Sequence, residues 1–208
     1  MIGLSVTVPI ACWRKGHARE YLETEVLPPP ATCYGFLLSL VGEEDRHRHR
    51  GARVTAGLVN SPETSVVLRT LWRVKNRNKK QGVGCNARPD YQELVVNAEL
   101  VVWCDSTAEP DPASGLESRV ELAIRKPARV ERFGGLSLGE STHLVNDVTI
   151  VGRMVPRSRT FLLATEGSIT LPVWVDHVGS AKTRYAVGDL EQVDDSPTPE
   201  RVPQIPLS

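Results

Sequence analysis

The chain has 208 residues, 40% hydrophobic and 24% charged, a composition that suits one large globular domain or two small ones and excludes collagen, coiled coil and wholesale disorder. No stretch approaches the roughly 18 uninterrupted apolar residues of a membrane span, and the N-terminus lacks the basic and continuously apolar regions of a secretory signal, so the expectation is a cytoplasmic protein with no membrane association. The 25 Lys plus Arg cancel the 25 Asp plus Glu, and Cys12, Cys33, Cys85 and Cys104 form no C-x-x-C pair, so they read as reduced thiols filling the core.

Ile2, Leu4, Val6, Val8, Ile10 and Cys12 alternate with small or polar residues, the period of two of a half-buried strand. Trp13 follows beside Arg14 and Lys15, where its ring could stack on a base or pack in the core. Pro28-Pro29-Pro30 makes a stiff extended lead-in to Thr32, an N-cap candidate, and a short helix is expected over about 33–41, ending at Gly42. Tyr34, Phe36, Leu37, Leu38 and Leu40 make that helix apolar nearly all round, and Gly35 permits close approach, so it should pack on a sheet. His47 and His49 alternate with Arg46, Arg48 and Arg50; three cations repel a metal, and a solvated basic loop is expected.

Strands are expected over 53–60 and 64–75 around a turn at Ser61-Pro62. In the second, Val66, Leu68, Trp72 and Val74 mark a core face, and Val67, Arg69, Leu71, Arg73 and Lys75 a basic one. The segment 76–89 is polar, carries Gly82 and Gly84, and reads as a flexible basic finger, with 94–103 returning antiparallel. From Arg69 to Arg88 there are seven cations and no carboxylate. Mixed with Asn, Gln and Gly, that density suits a sugar-phosphate backbone, and screening over about 8 to 10 Å lets one face bind a polyanion although the whole chain is neutral.

Ser114 and Glu117 fit a capping box before the stripe Leu116, Val120, Ala123 and Ile124, which ends before Pro127. Arg125, Lys126, Arg129 and Arg132 lead into Phe133-Gly134-Gly135-Leu136-Ser137-Leu138-Gly139-Glu140-Ser141, a loop whose backbone N–H groups can approach a ligand closely. Strands over 148–151, 160–164 and 168–175 read as a small closing unit, and Asp189, Glu191, Asp194, Asp195 and Glu200 among four prolines read as a disordered tail. The order strand, helix, strand, strand, helix, strand is that of an α+β ferredoxin-like or RRM-like sandwich, here with an inserted basic β-finger. The expected organisation is a 1–145 domain with its finger at about 75–90, closing strands over 146–188, and a tail over 189–208.

No G-x-S-x-G elbow or redox cysteine motif occurs, and Gly134-Gly135-x-x-x-Gly139 is neither a Walker A loop nor a dinucleotide fingerprint. Glu140-x-x-His143 is half of a helical metal site, and neither a metal nor a cofactor is expected. Metal-free RNA cleavage needs a base, an acid and a cation, which His143, Tyr34 or a lysine could supply. The candidate RNA-binding residues are Trp13, Arg14, Arg69, Arg73, Lys75, Arg77, Asn78, Lys79, Lys80, Arg88, Arg132, Gly134, Gly135, Ser137, Gly139, Ser141 and His143.

The stretch Val26-Leu27-Pro28-Pro29-Pro30-Ala31-Thr32 running into Tyr34-Gly35-Phe36-Leu37-Leu38, then the basic insert, then Phe133 to Ser141, resembles the Cas-five family of CRISPR-associated proteins, in its DevS-like branch, over roughly 1–175. The resemblance implies a repeat-associated (RAMP) fold and one copy in the Cascade surveillance complex of a type I CRISPR system, where the subunit caps the 5′ handle of the CRISPR RNA. It maps the family's finger, which contacts that RNA and the neighbouring backbone subunit, onto Lys75 to Arg88, and its glycine-rich loop onto Gly134 to Ser141. Many members carry a basic residue after the last glycine; Glu140 stands there in this chain and leaves the backbone amides for the role. Some members cleave precursor RNA with a Tyr-Lys-His arrangement; Tyr34 and His143 exist here but the Lys-His dipeptide does not, so the implied subunit is non-catalytic. Its implied partners are the CRISPR RNA, the Cascade backbone and large subunits, and target DNA through the complex, in defence or guided transposition. The alternatives are a metal-independent endoribonuclease acting on repeat RNA, and a protein-protein adaptor without a direct RNA role.

Overall fold

The strand Ile2–Ala11 (β1) buries Leu4, Val6 and Val8, the alternate positions expected from the period of two. The computed structural model describes residues 1–16, 21–72, 74–132, 134–178 and 180–207. β1 lies antiparallel between Ala87–Asp105 (β5) and Asp147–Ile150 (β6). β5 also pairs antiparallel with Arg53–Leu58 (β3), so Leu4, Val102 and Ala56 line up across three strands, as do Val6, Leu100 and Leu58. Each buried Leu or Val side chain in these rows contributes about 1.5 to 3 kcal/mol of transfer free energy.

The sheet runs on from β3 through Ser158–Leu163 (β7) and Arg184–Val193 (β9) to Ile169–Trp174 (β8), in the order β6-β1-β5-β3-β7-β9-β8. Tyr21–Leu22 (β2) and Glu63–Trp72 (β4) pair with β5 outside that path. The helices Pro30–Leu40 (α1) and Leu116–Arg125 (α2) touch each other; α1 lies on β3 and β8, and α2 on β5 and β6. The C-terminal strands therefore extend one sheet through the β3–β7 pairing, where a separate closing unit was expected.

Both helices start differently from expectation. α1 begins at Pro30, whose missing N–H costs nothing in the first turn, and Thr32 lies inside it without capping. At α2, Ser114 donates instead to Asp111, and two residues from the preceding turn do the capping: Glu109 accepts from the Leu116 N–H at 2.9 Å and Ser106 Oγ from the Glu117 N–H at 2.8 Å. Glu109 also takes His49, 2.7 Å from its Nδ1, while Arg119 donates to His49 Nε2 at 2.8 Å. Because a guanidinium only donates, the His49 proton sits on Nδ1. His49 is thus buried in a hydrogen-bonded network tying the 43–50 loop to α2, which corrects the solvated-loop reading.

The tail is also ordered. Asp189 and Glu191 belong to β9, Arg201 pairs with Glu191, and Val202 and Ile205 are buried. The Val54 N–H donates to the Pro203 carbonyl, the Gly51 N–H to the Ile205 carbonyl, and the Ile205 N–H to the Ala52 carbonyl, at 2.8 to 3.0 Å. A few well-placed apolar residues outweigh the acidic, proline-rich composition.

Among the described residues, no helix is long and apolar enough to cross a membrane. Cys12, Cys33, Cys85 and Cys104 are all free thiols, and burial pushes Cys12, Cys33 and Cys104 above the usual thiol range.

Candidate nucleic-acid interface

β4 and the first half of β5 form a hairpin beyond the reach of β1, which pairs only with the second half of β5. Val66, Leu68 and Trp72 share one face of it, and Trp72 is 72% exposed. The period of two was read correctly, but the face assigned to the core is exposed, with Gly82 set against the Trp72 ring, because α1 and α2 pack on β3, β8, β5 and β6 instead.

The connection from Val74 to Asn86 is organised by one buried side chain. Asn86 Oδ1 accepts from the Lys75 and Asn76 N–H groups at 2.9 Å each, and Nδ2 donates to the carbonyls of Asn76, Lys79 and Lys80 at 2.8 to 3.1 Å. Asn78 N–H closes on Asn76 Oδ1 at 2.9 Å. The main-chain groups of the turn bond inward, and Lys75, Arg77, Asn78, Lys79 and Lys80 stand exposed around them. A braced cationic turn replaces the flexible finger expected from composition.

The glycine-rich loop is anchored by Leu138, fully buried, whose carbonyl accepts from Trp13 Nε1 at 3.2 Å. Gly139 adopts φ 127°, open only to glycine, and a side chain there would press on the Cys12 carbonyl. His143 Nδ1 accepts from the Cys12 N–H at 3.1 Å and the Glu140 N–H at 3.3 Å. An imidazole accepting at Nδ1 is neutral with its proton on Nε2, and burial holds its pKa below the ordinary 6.5.

A brace joins hairpin and loop. Arg69, on β4, donates to Glu140 Oε2 at 3.0 Å and to the Gln92 side-chain carbonyl, and Gln92 Nε2 donates to Glu140 Oε1 at 3.1 Å. Glu140 therefore spends its charge on the middle of the hairpin.

Beyond the loop lies an open cleft of about 360 Å³, floored by α1 residues Thr32, Gly35 and Ser39 and walled by Ser137 and Gly139 on one side and Arg46, Trp174 and His177 on the other. The Arg46 guanidinium lies 3.8 Å from the centroid of the Trp174 ring and donates to the Val175 carbonyl at 2.8 Å. Arg50 also lies over that ring, at 4.7 Å. Gly35, expected against the sheet, faces this cleft.

Several expected binding residues do other work. Trp13 is 2% exposed and packs in the core, so its ring faces no base; His143 is a buried acceptor; Arg69 is engaged by Glu140 and Arg88 by the buried Asp90 at 2.6 Å. Arg14 is exposed in a bridge with Thr24, and Arg132, Gly134, Gly135 and Ser141 are exposed along the loop. Arg73 lies outside the described residues. Asn86 and the Arg46–Trp174 pair were missed; an asparagine closing a glycine-rich turn is a visible cue for the first, whereas the second joins residues 128 apart.

The fold is that of CRISPR-associated proteins. A chain of a CRISPR RNA-guided surveillance complex superposes with a TM-score of 0.59 at 10% identity, covering 92% of this chain and 89% of that one. The crystal structure of a Cas protein gives 0.52 at 14% identity, covering 98% and 97%. No protein-family model matches the sequence. The CRISPR-associated protein Cas5 of Myxococcus xanthus (strain DK1622) is 60% identical over 210 aligned positions, spanning 100% of this chain and 98% of that protein. The chain belongs to the Cas5 family of CRISPR-associated proteins.

Proposed function

We propose that this protein is a non-catalytic RNA-binding subunit of a type I Cascade surveillance complex, capping the 5′ handle of the CRISPR RNA and docking the backbone and large subunits for RNA-guided DNA targeting. The observation that carries this reading is the Arg69–Glu140–Gln92 brace, which joins the middle of the cationic hairpin to the glycine-rich loop and makes one surface of two elements suited to a phosphate backbone. The antiparallel order β6-β1-β5-β3 with both helices supports a ferredoxin-like RAMP core, with the β4–β5 hairpin as its thumb. Membership of the Cas5 family supports assembly into Cascade.

A binding role is favoured over cleavage by the state of the two groups that could transfer protons. The buried His143 accepts two backbone N–H bonds at Nδ1, and the Tyr34 hydroxyl donates to the Arg46 carbonyl at 2.9 Å, with burial raising its pKa. The test is binding of labelled CRISPR repeat RNA across a salt series in EDTA. Alanine at Lys75, Arg77, Lys79 and Lys80 is expected to lower the slope of log K against log salt by about 0.7 per residue. Arg69→Ala and Arg88→Ala should change the slope far less, since both cations already have carboxylate partners. An unchanged slope in the four-residue variant refutes the role of the turn, and discrete cleavage in EDTA selects the endonuclease instead.

A further inference from the structure

The far end of α2 carries apolar surface and charge that the rest of the chain leaves unanswered. The helix packs through Leu116, Val120 and Ala123, whereas Leu122, off that stripe, is 42% exposed. Past the helix, the turn Pro127–Arg129 leads the chain back over the end of α1, where the Glu131 carbonyl and a Val130 methyl lie against Gly42. This path leaves two open hollows that share Val130 as a wall. The first, of about 210 Å³, is lined by Leu40, Ile124, Pro127, Leu136 and Val148, and Arg132 is its one charged residue among those described. The second, of about 380 Å³, is lined by Val41 and Leu122, with Arg119, Arg129 and Glu131 at its polar side.

Arg125, Lys126, Arg129 and Arg132 are all exposed. The first two have work within the fold: Arg125 pairs with Glu121 at 2.9 Å, and both stand at the C-terminal end of α2, where a cation offsets the helix dipole. Arg119 is taken by Glu43. Arg129 and Arg132 lie beyond the helix, and neither has an ion-pair partner among the described residues. The acidic end of the chain does not supply one. Asp189 and Glu191 belong to β9, Arg201 takes Glu191, and the residues that follow are bonded to the start of β3.

The first hollow falls below the roughly 300 to 1,000 Å³ of small-molecule sites and suits a single side chain. RNA matches the pair poorly. A phosphate gains nothing from walls of Leu, Ile, Val and Pro, and no aromatic ring among the described residues lines either hollow for a base to stack on. A polypeptide that brings two apolar side chains and neighbouring carboxylates satisfies both the walls and the two unpaired arginines.

We infer that this surface docks an acidic amphipathic segment of another protein subunit, with one apolar side chain in each hollow and carboxylates set against Arg129 and Arg132. The inference rests on the reading of this chain as a subunit of a complex. It gives the protein-docking part of that reading a place and a chemistry apart from the cationic turn.

The test puts a photoreactive benzoylphenylalanine in place of Leu122 in the full chain, assembles the complex, irradiates it and locates the adduct by mass spectrometry. The adduct should fall on one protein subunit, in a stretch where apolar residues alternate with Asp or Glu. Affinity for that subunit is then measured with two variants. Leu122→Ser and Arg129→Glu should each weaken it roughly tenfold or more, the second with a flatter dependence on salt. Both positions are exposed, so Tm and RNA affinity should match those of the parent. Changing one carboxylate of the partner segment to lysine should restore binding to Arg129→Glu. An adduct on RNA overturns the inference and gives the surface to nucleic acid. An assembled complex without an adduct, or with one on a basic segment, overturns it while the subunit reading stands. If the parent enters no complex at all, both readings fall.

Discussion

Replacing Asn86 with alanine should unlock the cationic turn while leaving the body of the protein folded. The Asn86 amide receives two backbone N–H bonds and shares its two hydrogens among three carbonyls, the equivalent of about four bonds. At a net 0.5 to 1.5 kcal/mol each the sum is about 2 to 6 kcal/mol. The turn is near solvent, and water can re-satisfy its groups once the side chain is gone, so the lower end, about 2 to 3 kcal/mol, is the expected local loss. Amide hydrogen exchange at Lys75 and Asn76 should accelerate roughly 30- to 150-fold, while exchange in β1 and the second half of β5 is unaffected and Tm barely moves. Asn86→Asp should be no milder, because it keeps both acceptor bonds but turns a carboxylate toward three carbonyl oxygens. Unchanged exchange at Lys75 and Asn76, or equal acceleration throughout the sheet, would refute the idea that this one side chain orders the turn.

His143 should make stability depend on pH. Its native pKa lies below the 6.5 of the unfolded chain, so the unfolded state binds the proton first; stability is therefore retained above about pH 6.5 and lost as pH falls toward the native value. Melting between pH 8 and 5 should show this decline, and His143→Asn should flatten it. Ile205→Ala should cost about 2 to 5 kcal/mol in chemical denaturation, since Ile205 is fully buried against the body; a cost under 0.5 kcal/mol would mean that the C-terminal segment does not pack as described.

Much of the architecture follows from local pattern. The alternation Leu4, Val6, Val8 marks β1 and its core face, the run from Tyr34 to Leu40 marks α1, and the polar, glycine-containing stretch after Trp72 marks the bend of a hairpin. Each depends only on residues within a few positions of one another. β9 was missed because its acidic residues and the prolines after it suggested disorder, and composition is blind to pairing with β7 and β8.

The site divides the same way. The sequence alone determined that seven cations stand together without a carboxylate and that a glycine-rich loop follows the second helix, since charge density and backbone freedom are properties of short segments. Only the tertiary structure decided which of those groups remain available. Arg69 meets Glu140 across 71 residues, Trp13 is covered by Leu138 across 125, and Gly35 is left facing open space beside Ser137 and Trp174 from the second half of the chain. Partnership and exposure depend on what folds back over a residue, and that is settled by the packing of distant segments.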